Sequence, residues 1–198
     1  MTFQTLQKIL PRLYSFLPYY LGVKAILPPA HVFFEVTYRC NLRCEMCHFL
    51  EIIEDTETNR KFKQELSAAK VRRVIDQLPR FSLITFTGGE AFMKSDILGI
   101  LDHAAKRHKV HIITNGTLLT PKIIDFLVSR RVRYWVDPGI FYLGVSLEGF
   151  DEVHDRITGA PGSFAKSISG LERLLAARAG AGFPKVHVTC VIADENVD

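Results

Sequence analysis

Residues 83–116 read LITFTGGEAFMKSDILGILDHAAKRHKVHIITNG, and this stretch decides the fold. It begins with a run of apolar and β-branched residues, Leu83 to Thr87, and ends with a similar run, Val110 to Thr114. Between the two runs, apolar residues such as Ile97 and Leu101 recur at helical spacing. A strand, a helix and a second strand in this order predict a β-α-β crossover that joins two parallel strands.

The same alternation continues on both sides of this unit. Three more strands are predicted, at Val32 to Thr37, Tyr142 to Leu147 and Val186 to Ile192. Helical patterns lie between the strands, at Val71, Val74, Ile75 and Leu78, at Ile123 and Leu127, and at Ile168, Leu171 and Leu175. Thr120 before Pro121 is a helix-start signal, and Gly180 is a helix-stop signal. Five strands that alternate with helices predict an α/β fold with a parallel sheet.

The overall composition is that of an ordinary globular protein, with 47% hydrophobic and 23% charged residues. The formal charge of +4 comes from Lys and Arg that are spread along the chain, which is not the footprint of a nucleic-acid-binding protein. No apolar run approaches the roughly 20 residues that span a bilayer, and the start lacks a signal-peptide cleavage pattern.

Residues 1–30 form a basic, amphipathic extension before the main domain, residues 31–198. The extension has no Asp or Glu, and Lys8, Arg12 and Lys24 alternate with many aromatic and aliphatic residues. Four prolines divide it into short pieces: Pro11, Pro18, Pro28 and Pro29. The simplest interpretation is a pair of short helices packed on the main domain, and the alternative is a weak contact with a membrane surface or a partner.

The cysteines indicate metal binding. Cys40, Cys44 and Cys47 lie in one short loop, and Cys190 is remote. Clustered thiols are typical of ligands for a soft metal in a reducing compartment, so a cytoplasmic protein is expected. The spacings of three and two residues can bring three sulfurs to one inorganic cube and leave its fourth iron open.

A structural zinc site is the alternative for this loop. Such a site needs four ligands, and either His48 or Cys190 could supply the fourth. Neither geometry follows from the spacing, and Cys190 is predicted to be a small buried strand residue.

Chemistry in parallel sheets gathers at the carboxyl ends of the strands. The cysteine loop follows the first predicted strand, Gly88-Gly89-Glu90 follows the second, Asn115-Gly116 the third, and Ser146 with Glu148 closes the fourth. We therefore expect these residues on one face. Two polar stretches are predicted to be solvated loops: residues 50–63, and the cluster of Asp151, Glu152, His154 and Asp155.

The order of these motifs resembles the radical S-adenosylmethionine superfamily. A C-x3-C-x2-C loop follows the first strand and G-G-E follows the second, and the resemblance covers residues 31–198. The pattern is nearest to the peptide-modifying and molybdopterin-synthesis branch, of SPASM type. The resemblance implies a parallel (β/α) partial barrel of TIM type. Relatives usually build six β-α units and only about five are visible, so the chain is predicted to be truncated at its C-terminus.

The resemblance also implies a role for each motif. Cys40, Cys44 and Cys47 ligate three irons of a [4Fe-4S] cluster. The amino and carboxylate groups of S-adenosylmethionine chelate the fourth iron. Glu90 accepts a hydrogen bond from that amino group, and Gly88 and Gly89 let the backbone approach closely.

Further residues match positions that line the cofactor pocket in relatives. Asn115 and Ser146 match positions near the ribose and methionine parts, and Arg156 matches a basic residue that neutralises the carboxylate. The backbone near Val191 and Ile192 faces the adenine. Each of these residues also has a purely structural interpretation, as a turn, a packed strand residue or a surface charge.

Two positions depart from the family pattern. Met46 stands before the third cysteine, where an aromatic residue is common. Ser146-Leu147-Glu148-Gly149 replaces the Ser-x-Asp-Gly of many relatives, which leaves the branch open.

The resemblance implies that the protein cleaves S-adenosylmethionine reductively to a 5′-deoxyadenosyl radical, which abstracts hydrogen from an unidentified peptide or small metabolite. An external electron donor of flavodoxin or ferredoxin type is expected, and no nucleic acid. The alternatives are a zinc-stabilised binding module and a family scaffold without catalytic activity.

Overall fold

A computed structural model of the chain describes residues 14, 16–22, 27–54 and 65–197. The strands are β1 (His31–Thr37), β2 (Leu83–Gly88), β3 (Lys109–Thr114), β4 (Gly139–Ser146) and β5 (Lys185–Thr189). The helices are α1 (Leu50–Glu54), α2 (Ala68–Ile75), α3 (Ile97–Ala105), α4 (Pro121–Ser129), α5 (Asp151–Ile157) and α6 (Ser163–Ala177). Short 3-10 turns occupy Ala91–Met93 and Asp194–Asn196.

The five strands form one parallel sheet in the order β1-β2-β3-β4-β5. Each strand pairs with the next strand along the chain, and the sheet does not close. The prediction of a parallel α/β partial barrel is confirmed. The helix-start signal is confirmed as well, because the Thr120 hydroxyl accepts a hydrogen bond from the Ile123 N–H at the start of α4.

The hydrophobic core lies between the sheet and the helices. One face of the strands supplies fully buried apolar side chains, among them Ile84, Phe86, Val110, Ile112 and Leu143. Helices α2 to α4 and α6 contribute Ile75, Ile100, Leu101, Leu127 and Leu174. Because side chains alternate along a strand, the opposite face carries different residues, and we call it the inner face.

The last strand is shorter than predicted. β5 ends at Thr189 rather than Ile192, and Cys190 is exposed rather than buried. The reason is that β4 ends at Ser146, the residue paired with Thr189, so residues beyond Thr189 have no ladder partner on that strand. Side chains replace the ladder there, since the carboxylate of Glu148 accepts the N–H of Val191 at 2.8 Å.

Both segments predicted to be solvated loops contain a helix. Residues 50–54 form α1, which continues the turn of the cysteine loop through a hydrogen bond from the Leu50 N–H to the Cys47 carbonyl. Residues 55–64 lie outside the described residues. The cluster from Asp151 to Asp155 forms most of α5, whose first turn holds Asp151 and Glu152, where negative charge is favourable.

Most of the N-terminal extension, and the pair of helices predicted there, lies outside the described residues. Tyr14 is described: its hydroxyl donates to the Pro28 carbonyl at 2.8 Å, and its ring centroid lies 5.9 Å from that of Phe81. β1 begins at His31, while the division into an extension and a main domain stays a prediction. None of the described helices has both the length and the apolar composition needed to cross a membrane.

We predict that Phe86→Ala lowers the free energy of unfolding by about 3–5 kcal/mol, because it leaves a cavity in the centre of the core. Phe86 has no exposed surface, and its ring stacks on Phe34 with centroids 5.8 Å apart. The control is Phe150→Ala, since Phe150 is 83% exposed. Urea unfolding of the cluster-free variants measures both, and equal losses would contradict the position of the core.

Candidate active site

The cysteine loop lies directly after β1 and docks on the end of α5. The N–H of Arg43 donates to the Thr158 carbonyl at 2.9 Å, and the N–H of Glu45 donates to the Ile157 carbonyl at 3.0 Å. Leu42 anchors the loop, with only 4% of its surface exposed. The loop is thus held by backbone contacts on both sides of Cys44.

The three thiols of the loop are free, partly buried and close enough to influence one another. Burial, followed by negative charge on Cys40 and Cys47, raises the pKa of the Cys44 thiol to about 12. Burial also raises the pKa of Cys40, with smaller contributions from Glu90 and Cys47. Three thiolates in this place would repel each other, and a cationic iron–sulfur core relieves that repulsion, so the donor set fits such a cluster.

No three His, Cys, Asp or Glu side chains among the described residues are arranged to hold one metal ion. In an iron–sulfur cluster each thiolate binds a different iron, so the ligands need no common point. The clustered thiols of the cysteine loop therefore fit an iron–sulfur cluster without the geometry of a single-ion site.

The glycine pair lies against the backbone that leads into the cysteine loop. The Gly89 N–H donates to the Thr37 carbonyl, and the Glu90 N–H donates to the Arg39 carbonyl, both at 2.8 Å. A Cβ on Gly88, whose φ is +127°, would overlap the Thr37 carbonyl oxygen, and a Cβ on Gly89 would lie 2.5 Å from the Arg39 carbonyl oxygen. The glycines thus allow two stretches of backbone to touch, and their predicted approach to a cofactor stays a prediction.

Glu90 is a fully buried carboxylate that connects the ends of β2 and β3. It accepts hydrogen bonds from the Phe92 N–H at 3.0 Å, the Thr114 hydroxyl at 2.8 Å and the Asn115 N–H at 2.8 Å. Burial raises the pKa of this carboxyl, and the three donors oppose the rise. Glu90 therefore braces the site, while its predicted bond to the cofactor amino group stays a prediction.

Asn115 joins the third strand to the cysteine loop. Its amide nitrogen donates to Asn41 Oδ1 at 3.0 Å and lies 3.9 Å from the sulfur of Cys40. Its amide oxygen accepts the N–H and the hydroxyl of Thr117. Cys40, Glu90 and Asn115 therefore form one connected network, as their positions at neighbouring strand ends predicted.

The remaining predicted site residues lie near the ends of β4 and β5. Ser146 is half-buried and pairs with Thr189. Arg156 is exposed, and its guanidinium donates to the Glu195 carbonyl at 3.1 Å rather than to the network around Glu90. Val191 has both backbone polar groups paired, to Glu148 and Asn196. Ile192 is 81% exposed.

Glu148 and His154 form a second buried polar group. Glu148 is 7% exposed, and burial raises the pKa of its carboxyl while the Val191 N–H opposes the rise. Negative charge on Glu148 also contributes to the raised pKa of Cys44. His154, predicted to lie in a solvated loop, is fully buried, and its Nδ1 accepts the Glu148 N–H at 3.0 Å.

Sequence reasoning missed a group of histidines on the inner face. Thr85 Oγ1 lies 2.7 Å from His31 Nε2 and 3.1 Å from His111 Nδ1. The His111 and His187 ring centroids are 5.1 Å apart. Burial, followed by the neighbouring His187 and His31, lowers the pKa of His111 to about 4. The signal in the sequence is the period of two along the strands, as in KVHIIT and KVHVT.

Gly144 makes room for this group. A Cβ there would lie 2.7 Å from Nε2 of His187 and 3.2 Å from Nε2 of His111. Tyr142, on the same strand, has its ring centroid 5.9 Å from that of His111. The inner face therefore presents imidazole and phenol side chains around Gly144.

The protein is of the α/β class, a parallel partial barrel with three clustered thiols in the loop after its first strand, and this donor set fits an iron–sulfur cluster. Residues 34–198 match the model of the Radical SAM superfamily, and the chain belongs to this superfamily. Members are enzymes that use a [4Fe-4S] cluster and S-adenosylmethionine.

Several curated relatives are similar in sequence. The chain is 31% identical over 150 residues to the antilisterial bacteriocin subtilosin biosynthesis protein AlbA of Bacillus subtilis, covering 74% of this chain and 30% of that protein. It is 30% identical over 174 residues to mycofactocin maturase MftC of Mycolicibacterium smegmatis, covering 86% and 39%. It is 34% identical over 143 residues to Fe-coproporphyrin III synthase of Methanosarcina barkeri, covering 71% and 32%. The chain thus spans about a third of the length of these relatives.

Solved structures share the fold. SuiB of Streptococcus suis bound to S-adenosylmethionine superimposes with a TM-score of 0.65 at 17% identity, over 95% of this chain and 39% of that one. SuiB bound to its precursor peptide SuiA gives a TM-score of 0.64 at 18% identity, over 95% and 38%. These likenesses support the partial-barrel architecture.

We predict that Glu90→Ala lowers the free energy of unfolding of the cluster-free protein by about 2–4 kcal/mol, because two buried donors and one partly buried donor lose their acceptor. The matched variant Glu90→Gln keeps an acceptor oxygen and should lose less. Urea unfolding without iron or cofactor measures both. Wild-type stability in Glu90→Ala would contradict the bracing role and leave only a role toward the cofactor.

Proposed function

We propose that this chain is the part of a radical S-adenosylmethionine enzyme that holds the cluster and the cofactor. The observation that carries the proposal is the joining of the cysteine loop to the Glu90 network at the ends of three neighbouring strands. Cys40, Cys44 and Cys47 would hold a [4Fe-4S] cluster. When bound, the cluster supplies the electron that cleaves S-adenosylmethionine to a 5′-deoxyadenosyl radical.

The residues around the cluster would position the cofactor and keep water out. Glu90 fixes the backbone of Asn115, whose amide lies beside Cys40. This arrangement would hold a fixed set of polar groups beside the thiols that bind the cluster. Gly88, Gly89, Ser146, Arg156 and Val191 are proposed to line the cofactor site at the ends of β2, β4, α5 and β5.

We assign the substrate to the inner face of the sheet. His111 is neutral at pH 7, since its pKa lies near 4, and Tyr142 is half-buried beside it. Neutral donors and acceptors suit uncharged polar groups such as amides. A peptide substrate agrees with this chemistry and with the structure of SuiB bound to its precursor peptide SuiA. The similarity to Fe-coproporphyrin III synthase favours a small-molecule substrate instead. We propose that an external electron donor reduces the cluster.

The first prediction of this proposal concerns the cluster. Anaerobic reconstitution should give about one [4Fe-4S] cluster per chain, and Cys→Ala at position 40, 44 or 47 should abolish it, because each thiolate holds one iron. Iron and sulfide content and the visible absorption of the brown protein measure the outcome. The control is Cys190→Ala, which removes an exposed cysteine outside the loop.

Loss of the cluster in Cys190→Ala would contradict the assignment of the ligands. A colourless protein that retains zinc through the same three cysteines would favour the alternative of a zinc-stabilised module.

The second prediction concerns the cofactor. The dithionite-reduced, cluster-loaded protein should release 5′-deoxyadenosine and methionine from S-adenosylmethionine, slowly without substrate, and liquid chromatography of the products measures this. Cys190→Ala should behave like the wild type. A protein that keeps its cluster and binds S-adenosylmethionine without cleaving it would be a non-catalytic scaffold.

A further inference from the structure

The amino ends of the strands carry an unusual concentration of positive charge. The segments that enter β2, β3 and β4, residues 76–82, 106–109 and 130–138, contain seven basic residues: Arg80, Lys106, Arg107, Lys109, Arg130, Arg131 and Arg133. They contain two acidic residues, Asp76 and Asp137, and Asp102 of α3 is ion-paired with Lys106 and Arg130. The net charge of this set is therefore 7 − 3 = +4, which equals the net charge of the whole chain. We call this surface the basic face. It lies at the opposite end of the strands from the cysteine loop.

A tight turn on the basic face exposes three large apolar side chains. Tyr134, Trp135 and Val136 are 72%, 52% and 88% exposed. The turn is fixed, because the Asp137 N–H donates to the Tyr134 carbonyl at 3.0 Å and the Asp137 carboxylate accepts the Tyr134 N–H at 3.1 Å. The exposure of these side chains is therefore a feature of an ordered turn.

One side of the Trp135 ring packs on a small apolar cluster. Its ring centroid lies 5.0 Å from that of Phe141 and 5.6 Å from that of Phe183, and both phenylalanines are buried. About half of the indole remains exposed. An aromatic ring that is packed on one side and exposed on the other is already ordered, so a partner that binds it pays little conformational entropy for that side chain.

The exposed turn is continuous with the cations. Val136 and Phe81 line a cavity of about 440 Å³, whose other walls include Arg80, Lys106, Arg107 and Lys109. Lys106 and Arg107 are paired to Asp102 and Asp76 at the surface, while Arg80 and Arg133 make no ion pair within the described part of the chain. The cavity thus combines an apolar rim with a basic wall.

The surface continues into the N-terminal extension. Tyr14 packs edge-on against Phe81, which is itself 60% exposed. Phe16, Tyr19 and Tyr20, two to six residues further on, are 54%, 82% and 77% exposed. The contact between Tyr14 and Phe81 therefore adds an aromatic side chain of the extension to the border of the basic face.

We propose that the basic face docks on the surface of an anionic phospholipid bilayer. Exposed Trp and Tyr rings favour the boundary between headgroups and acyl chains, and clustered Lys and Arg are attracted to anionic headgroups. The apolar Val136 at the tip of the turn suits the acyl region better than the phosphates of a nucleic acid. Docking in this orientation leaves the cysteine loop facing away from the lipid.

The test uses the fluorescence of Trp135, which is the sole tryptophan of the chain. Vesicles that contain phosphatidylglycerol should shift its emission to the blue and bind the protein, pure phosphatidylcholine vesicles should bind it weakly, and binding should weaken with salt. Val136→Asp and the double variant Arg80→Glu with Arg133→Glu should each weaken binding by about tenfold or more.

Matched controls lie elsewhere on the surface. Phe150→Asp changes an apolar residue of similar exposure beyond the other end of β4, and Lys122→Glu changes an exposed cation on α4. Both should bind like the wild type. Circular dichroism and urea unfolding of the cluster-free variants show that each variant folds, and the assay needs neither cluster nor enzymatic activity, so its result is separate from the proposed function.

Three results would overturn the proposal: equal binding to neutral and anionic vesicles, vesicle binding with unchanged Trp135 emission, and tighter binding to nucleic acid than to vesicles. The last result would make the basic face a nucleic-acid surface instead.

Discussion

A single buried carboxylate, that of Glu90, holds together the strand ends on which the site depends. Its carboxylate oxygens accept hydrogen bonds from the 3-10 turn after β2 and from the end of β3. The backbone N–H of Glu90 donates to the carbonyl of Arg39, the residue before Cys40. Burying an ionised carboxylate is costly unless its oxygens are hydrogen-bonded, and three donors offset much of this cost. Glu90 therefore holds neighbouring backbone segments in one arrangement, and the position of Asn115 follows from it.

The glycine pair makes this arrangement sterically possible. Neither Gly88 nor Gly89 has room for a Cβ, because the carbonyl oxygens of Thr37 and Arg39 occupy that space. The short N–H to carbonyl bonds there replace ordinary strand pairing where the register of β1 shifts. The Gly-Gly-Glu motif consequently has a structural reason for all three of its residues, whatever contact each makes with a cofactor.

The sequence predicted the features that depend on local pattern. Alternating strands and helices, the parallel sheet and the placement of Cys40 beside Glu90 and Asn115 follow from periodicity and from the topology of β-α units. The end of β5 could not be predicted, because it depends on where β4 stops and on the capture of the Val191 N–H by Glu148. α5 was missed because its polar composition resembles a loop, whereas the helix buries His154 and Ile157 and its end accepts hydrogen bonds from the cysteine loop. The inner-face histidines are far apart in sequence, and only the register brings them together.

The cysteine loop and the basic face lie at opposite ends of the sheet, and the distance between them keeps the charges of the basic face from acting on the thiols. A strand of six residues spans roughly 20 Å, while exposed charges are largely screened beyond about 8 Å at physiological ionic strength. The basic face is therefore too remote to lower the pKa of the thiols. Positive charge near them comes from within the site, where Arg43 lowers the pKa of Cys40 against the larger effect of burial. Since this local charge does not offset burial, iron held by the three cysteines would have to stabilise the thiolates, and the properties of such a cluster should not depend on what the basic face contacts.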